Sequence, residues 1–372
     1  MTGAHRTGAL LFRNHIHITS TWMEKGERIC WWCPWNSDLG AIQKRANDLL
    51  SQCCREEIPL YDEARAALKR LGLPDRDGID WGPSTKRFTD GAQVRVEIPS
   101  CEGPRVLRAV LEEAERLGVR LHRVSQGSGV LLLTDEEIRE MARLGAEAGI
   151  EVSLFIGPRA GWHLSPLAKS DAGGMVRSRT LGVEQMVQSV EEVKRAYALG
   201  IRSVLVADDG LLWVLGELRS RGEIPADMKY KVSVMMGVAN PATALLLERY
   251  GADTINVSTD LSLGQLAAVR AVTSVPLDIY VEVPDDLGGF VRYYEIPELI
   301  SLTSPVYIKY GLRNAPNLYP SGGHLEDLAI TLGRERVRRA RIGQELMERY
   351  CPGVVMSKPG ERCADLAVPV VR

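Results

Sequence analysis

From residue 93 onward the sequence alternates between two patterns: a short run rich in β-branched residues, then a longer stretch with apolar positions at helical spacing. Eight such units follow one another. Their strands are predicted around QVRVEIPS, VRLHRVS, IEVSLFIG, IRSVLVADD, YKVSVMMG, DTINVS, LDIYVEV and PVYIKYG, with helices such as RVLRAVLEEAERLG and VEEVKRAYALG between them. Strands that alternate with helices pair in parallel through right-handed crossovers, and eight units suffice to close the sheet. The pattern therefore predicts an α/β fold, a (β/α)8 TIM barrel over residues 93–350. An N-terminal extension (1–92) would precede it, and a short tail (351–372) would run over the surface. The alternative, a doubly wound open sheet, ordinarily shows GxGxxG after its first strand, and IPSCEGPRV lacks that spacing. Gly118, Gly149 and Gly200 fall at predicted helix ends, where a left-handed residue closes the helix.

Successive strand residues face opposite sides, so the apolar alternate should meet the helices and the other alternate should enter the lumen. In the first strand Val94, Val96 and Ile98 turn outward, which sends Arg95 and Glu97 inward. The same rule points Asp278, Tyr280 and Glu282 inward from the seventh strand, and Tyr307 and Lys309 from the eighth. The others contribute Ser153 and Phe155, Ser233 and Met235, Asn256 and Ser258, with His122 on the second. Such a lumen is far more polar than one built only for packing, so its charges should pair or meet a ligand. Arg95 and Asp278, early in their strands, fit a structural ion-pair layer. Glu97, Glu282 and Lys309, nearer the strand ends, are the candidate catalytic groups, with Glu282 and Lys309 expected within reach of each other. A lysine beside a carboxylate can shuttle protons or, when burial depresses its pKa, attack a carbonyl as a Schiff-base nucleophile. Glu97, Glu282 and either Asp208 or Asp209 are also candidates to hold Mg²⁺ or Mn²⁺, against the alternative that the aspartates cap a helix.

The loop after the third strand, GPRAGWHLSPLAKSDAGGMVRSRTLG, is long enough for a lid or binding segment. It carries Arg159, Arg177 and Arg179, suited to carboxylate or phosphate oxygens, and His163, a general acid or base by residue type. After the eighth strand, Ser321, Gly322, Gly323 and His324 precede a helix whose first N–H groups would favour an anion, with Arg313 and Asn314 nearby. Ser321 as a simple helix cap is the alternative. In the N-terminal extension, His15 and His17 followed by Cys30 and Cys33 of ICWWCPW form a set that tetrahedral zinc (Zn²⁺) accepts. An iron–sulfur cluster that also uses Cys53 or Cys54 is a second reading, and a buried aromatic and thiol patch is the favoured one.

Composition narrows the partners. Of 372 residues, 45% are hydrophobic and 25% charged, as in ordinary globular chains, and the net charge of −2 offers no broad basic surface for nucleic acid or anionic lipid. No apolar run approaches the length of a membrane span, and the first residues lack a signal-peptide core. Seven cysteines, scattered and odd in number, point to reduced thiols and a cytoplasmic chain. A small anionic molecule is the expected partner, and a homo-oligomer is compatible with this composition.

Three stretches, GADTINVSTDLSLGQLAAVR, LDIYVEVPDDLGGF and PVYIKYGLRNAPNLYPSGGH, resemble the barrel of the peptidase U32 group. The shared features are a GAD-then-strand unit and a later strand bearing a glutamate, here Glu282. The resemblance implies hydrolysis or, in some branches, RNA or quinone modification with an iron–sulfur cluster. Beyond the glutamate the family pattern has a glycine and paired cysteines, whereas this chain reads VPDDLGG, so neither the activity nor the cluster is carried over. The leading expectation is a lyase or isomerase acting on a carboxylate- or phosphate-bearing small molecule through Glu282, Lys309 and His163. A U32-like hydrolase with metal-activated water is the alternative, for which an open peptide-length groove would speak. A noncatalytic assembly role through the tryptophan-rich N-terminal segment is the third; it would gain support were Glu282 and Lys309 fully paired and sealed.

Overall fold

Eight parallel strands close into a barrel in chain order, with β8 returning to pair with β1. The computed structural model describes residues 61–163, 165–358, 360 and 363–371. After α1 (Asp62–Arg70) the units run β1 (Val94–Pro99), α2 (Pro104–Leu117), β2 (Arg123–Gln126), α3 (Asp135–Ala148) and β3 (Glu151–Phe155). They continue through α4 (Pro166–Lys169), α5 (Gly182–Ala198), β4 (Ser203–Val206), α6 (Asp209–Ser220), β5 (Lys229–Val232), α7 (Pro241–Arg249) and β6 (Thr254–Asn256). The last elements are α8 (Leu263–Val272), β7 (Leu277–Glu282), α9 (Ile296–Thr303), β8 (Val306–Tyr310) and the long α10 (Glu326–Tyr350). The TIM barrel read from the sequence is thus the observed architecture.

The core lies between strands and helices. Val94, Val96, Ile98, Val152, Leu154, Val204, Val232, Ile255 and Ile308 are fully buried there, as the alternation predicts for the outward set. Local signals fix the ends: Gly118 and Gly149 close α2 and α3 in the left-handed conformation, and Thr134 with Glu137 forms a capping box that starts α3.

The floor of the barrel is closed from both ends of the chain. Phe88 lies beneath the lumen, with Arg95 stacked 3.9 Å from its ring centre and Tyr307 packed edge-on at 5.3 Å. Part of the C-terminal tail, which the sequence reading sent over the surface, packs into this floor. Met356 bridges to Val94, Ser357 accepts from Arg95 Nε at 2.8 Å, and Asp365 pairs with Arg95 at 2.8 Å. A buried arginine at the bottom of β1 needs an anion, and the tail supplies it.

Candidate active site at the strand ends

Above that floor the lumen holds a layer of charges. Glu97 is the hub: Arg123 Nε donates to it at 2.7 Å, Ser125 Oγ at 2.7 Å, Lys309 Nζ lies 3.1 Å away, and Lys231 Nζ donates to both its oxygens. Asp278 takes Arg123 and, at 2.9 Å, Lys231; Glu151 lies 3.6 Å from Arg123 and accepts from Ser203 Oγ at 2.7 Å. Three carboxylates (Glu97, Glu151, Asp278) thus face three cations (Arg123, Lys231, Lys309), and the layer is neutral. Burial alone would raise the Glu97 pKa, but Arg123, Lys231 and Lys309 outweigh it and hold the carboxyl well below the usual range. Burial, reinforced by Arg123, holds the Lys231 ammonium down to about 8.

The layer above opens into a cavity of about 860 Å³ to which all eight strands or their following loops contribute. Ser125, Phe155, Leu205, Ser233, Asn256, Tyr280 and Lys309 line its lower part, and loop residues such as Arg159, Trp162, Arg177 and Tyr319 line its upper part. It is an axial well, the usual place for a barrel's active site. Lys309 belongs to both layers. Its ammonium is ion-paired below with Glu97, accepted at 2.8 Å by the Asn256 carboxamide oxygen when that amide is oriented toward it, and stacked 4.4 Å from the Tyr280 ring centre. Five basic side chains line the well against two acidic ones, Asp285 and Asp286, both exposed.

Of the four candidate catalytic residues, the well contains only Lys309. Glu97 is sealed beneath it and saturated with donors. Glu282 does not meet Lys309: a bulge between Tyr280 and Glu282 shifts the register, so that Tyr280 faces Lys309 and Glu282 faces Tyr310. The Glu282 carboxylate instead accepts from Tyr293 Oη at 2.8 Å and the Arg313 backbone N–H at 3.0 Å, with Arg339 of α10 3.5 Å away. Glu282 is thus fully paired, but Lys309 faces the well, so the condition set for the assembly reading is met by only one of the two. His163 is exposed and does not line the well.

The binding candidates divide similarly. Arg159 and Arg177 line the well, whereas Arg179 is engaged by Asp209 and lies 3.7 Å from Asp208. Arg313 and Asn314 are exposed; the Asn314 backbone N–H donates to Asp285, and the Arg313 side chain reaches the same carboxylate at 3.4 Å. Ser321, Gly322, Gly323 and His324 stay outside the well, and no side chain caps α10. The Ser321 N–H donates to Ser128 Oγ at 2.8 Å, so its backbone is spent on a loop contact.

Asp208 caps α6 by accepting from Leu211 N–H at 2.8 Å, and among the described residues no three His, Cys, Asp or Glu side chains converge to hold an ion. Asp208, Asp209 and Glu282 therefore do not fit Mg²⁺ or Mn²⁺, and no reaction step is routed through one. The zinc candidates His15, His17, Cys30 and Cys33, and the cluster candidates Cys53 and Cys54, lie outside the described residues.

Three important side chains escaped sequence reasoning. β2 begins at Arg123, which faces the lumen, while His122 sits below it, accepting from Val96 N–H at 3.0 Å and bonding the Ser357 carbonyl at 2.9 Å. Lys231 enters from β5 with the same parity as Ser233. Arg336 reaches the well from α10, although it is a helix residue and only 4% exposed.

Residues 174–283 match the profile of peptidase family U32. The match runs from the end of the loop after β3 through β7, so the U32 resemblance is borne out over the middle of the barrel. No curated protein matches the sequence. Among solved structures, a U32 peptidase shares 19% identity, covering 60% of this chain and 94% of its own, with a TM-score of 0.38. A homocysteine methyltransferase from Escherichia coli shares 13% (66% and 97% covered, TM-score 0.44), and a Rubisco-like protein from Rhodopseudomonas palustris 11% (71% and 70%, TM-score 0.41). At these values none bears on chemistry. Among the described residues no helix is long and apolar enough to cross a membrane.

Proposed function

We propose that the chain is a barrel enzyme acting on a small anionic molecule by proton transfer, as a lyase or an isomerase, with Lys309 as its reacting group. The observation that carries this reading is the placement of the Lys309 ammonium at the floor of a basic well ringed by all eight strands. Anchored by Glu97 and Asn256, the ammonium is set to donate a proton or to stabilise negative charge developing above it. A Schiff-base role would require the amine to give up both partners, which makes it the weaker assignment. Glu97, saturated by cations, serves as a positioning residue rather than a base.

The test is deuterium exchange. Incubating the full chain in D₂O with a panel of phosphorylated and carboxylated small molecules, followed by NMR, should reveal a compound that exchanges a carbon-bound proton or is converted. Lys309→Met should lower that rate by about a hundredfold or more. A rate unchanged in Lys309→Met would overturn the assignment. The family match favours a second reading, a hydrolase, and peptide cleavage that survives Lys309→Met would favour it over the first.

A further inference from the structure

Arg336 is chemically out of place. It sits on the buried face of α10, and its Nε and Nη1 are sealed from solvent with no hydrogen-bond partner among the described residues. A guanidinium in that position ordinarily finds a carboxylate, because an unpaired buried cation costs several kcal/mol. Burial lowers its pKa; Tyr319, Tyr280 and Glu102 lie near enough to offset part of that effect.

Arg159 converges on the same place. Its guanidinium is stacked between Phe155 and Trp162, 3.7 and 3.9 Å from their ring centres, so only its edge is free for hydrogen bonds. Nη2 donates to the Gly127 carbonyl at 2.7 Å, while Nε is buried without a partner. Burial brings its pKa down to about 10, against the opposing influence of Glu102, Tyr319 and Glu192. Both arginines therefore sense Glu102 and Tyr319. Glu102 is already committed, accepting from Gly127 N–H at 2.7 Å and Ser128 N–H at 3.0 Å, and Glu192 accepts from Gly157 N–H at 2.7 Å. Tyr319 and Ser100 bring two hydroxyls, 2.5 Å apart, to the same wall.

We infer that Arg336 and Arg159 form the anion pole of the well and take the phosphoryl group of a phosphate monoester. This deepens the proposed function and rests on it. The lumen layer beneath is neutral, and Glu102 and Glu192 spend their oxygens on backbone N–H groups, so neither guanidinium has a carboxylate hydrogen-bond partner among the described residues. A carboxylate brings one charge and two oxygens, enough for one arginine fork. A phosphate monoester brings up to two charges and three terminal oxygens, which matches two guanidiniums and the one hydroxyl proton that the Ser100–Tyr319 pair leaves free.

The test is titration calorimetry on the full chain with inorganic phosphate, glycerol 3-phosphate, acetate and succinate at one ionic strength. The two phosphates should bind more tightly than the two carboxylates. Arg336→Met should weaken them by about thirtyfold or more, the scale of one truncated charge-assisted contact, with an unchanged or raised Tm because an unpaired buried charge is removed. Arg336→Lys, a second variant that keeps the charge but not the fork, should weaken phosphate by about fivefold to tenfold. Wild-type phosphate affinity in Arg336→Met would overturn the inference, as would carboxylates that bind as tightly as phosphates or no phosphate binding at millimolar concentration. Lys309-dependent conversion of a phosphate-free compound would remove the phosphate pole and leave the proposed function standing. Arg336-dependent phosphate binding with no Lys309-dependent conversion would do the reverse.

Discussion

Glu97→Gln tests whether the lumen is a charge-balanced unit. The amide keeps the shape of the carboxylate but removes one of three negative charges that face Arg123, Lys231 and Lys309, leaving a fully buried layer with one excess cation. Breaking a buried ion pair from one side costs about 3–5 kcal/mol. At about 2 °C per kcal/mol for a unit of this size, the Tm should fall by roughly 6–10 °C. The loss should also depend on pH. Lys231 already titrates at about 8, below its ordinary 10.5, so between those values the unfolded chain holds the proton and the folded chain does not. That difference makes stability rise with pH across the window, and with Glu97 neutralised the Lys231 pKa falls further, moving the start of the rise below pH 8. Lys231→Met combined with Glu97→Gln leaves Arg123 and Lys309 against Glu151 and Asp278. This double variant should recover about 2 kcal/mol or more relative to the sum of the single changes. Thermal unfolding followed by circular dichroism from pH 6 to 10 reads all of these. A Glu97→Gln chain as stable as wild type at pH 7, or a double variant with strictly additive losses, would refute the balance.

Three other outcomes follow from the geometry. His122, which burial brings down to about 4 from 6.5, should contribute stability that is complete above pH 6.5 and falls away as pH drops toward 4, about 3 kcal/mol in all; an NMR titration of this ring near 6.5 would contradict it. Gly127→Ala should displace the Tyr319 ring, into which the new methyl projects, and cost about 1–3 kcal/mol of stability together with affinity in the well. The check is calorimetry beside a thermal melt, and an unshifted Tm with unchanged binding would count against the packing described. Asp208→Ala should cost about 1 kcal/mol as a lost helix cap, and any Mg²⁺-induced rise in Tm should be the same in variant and wild type; a rise that disappears in the variant would restore the metal reading.

The barrel was legible because each strand is short, β-branched and followed by a helix, a rhythm that few other folds share. Lumen parity was legible where the outward alternate is apolar, as in β1 and β8, which correctly sent Arg95, Glu97, Tyr307 and Lys309 inward. It failed where local sequence offers no such alternate. In RLHRVS the apolar Leu121 and Val124 are three apart, so the strand start is undetermined, and the lumen position belongs to Arg123 rather than His122. Glu282 was misplaced because a bulge changes parity within a strand, and a bulge is set by the pairing with β8 and Val291, not by the strand alone. Lys231 was readable from KYKVSV, whose Tyr230 and Val232 face outward. Arg336 was readable too: it interrupts the stripe of Ala329, Gly333, Val337 and Ala340 along α10, and a charge on a buried helix face is a signal in itself.

The arrangement of the lumen also bears on why Lys309, and not a carboxylate, faces the well. Glu97 is the single acceptor shared by Arg123, Lys231 and Lys309, so only part of its charge is available to each. Asp278 and Glu151 compensate Arg123 and Lys231 from below, on the side away from the opening. Of the three cations, Lys309 is left with the least neutralisation and the most direct access to the cavity. The layer is therefore neutral in sum but polarised along the barrel axis, positive toward the strand ends. A fixed positive field at the floor of the well strengthens binding of an anion before any chemistry, and it lowers the cost of negative charge developing on that anion afterwards. A carboxylate base in the same position would lack both effects, which is the physical reason to look for the reaction at Lys309.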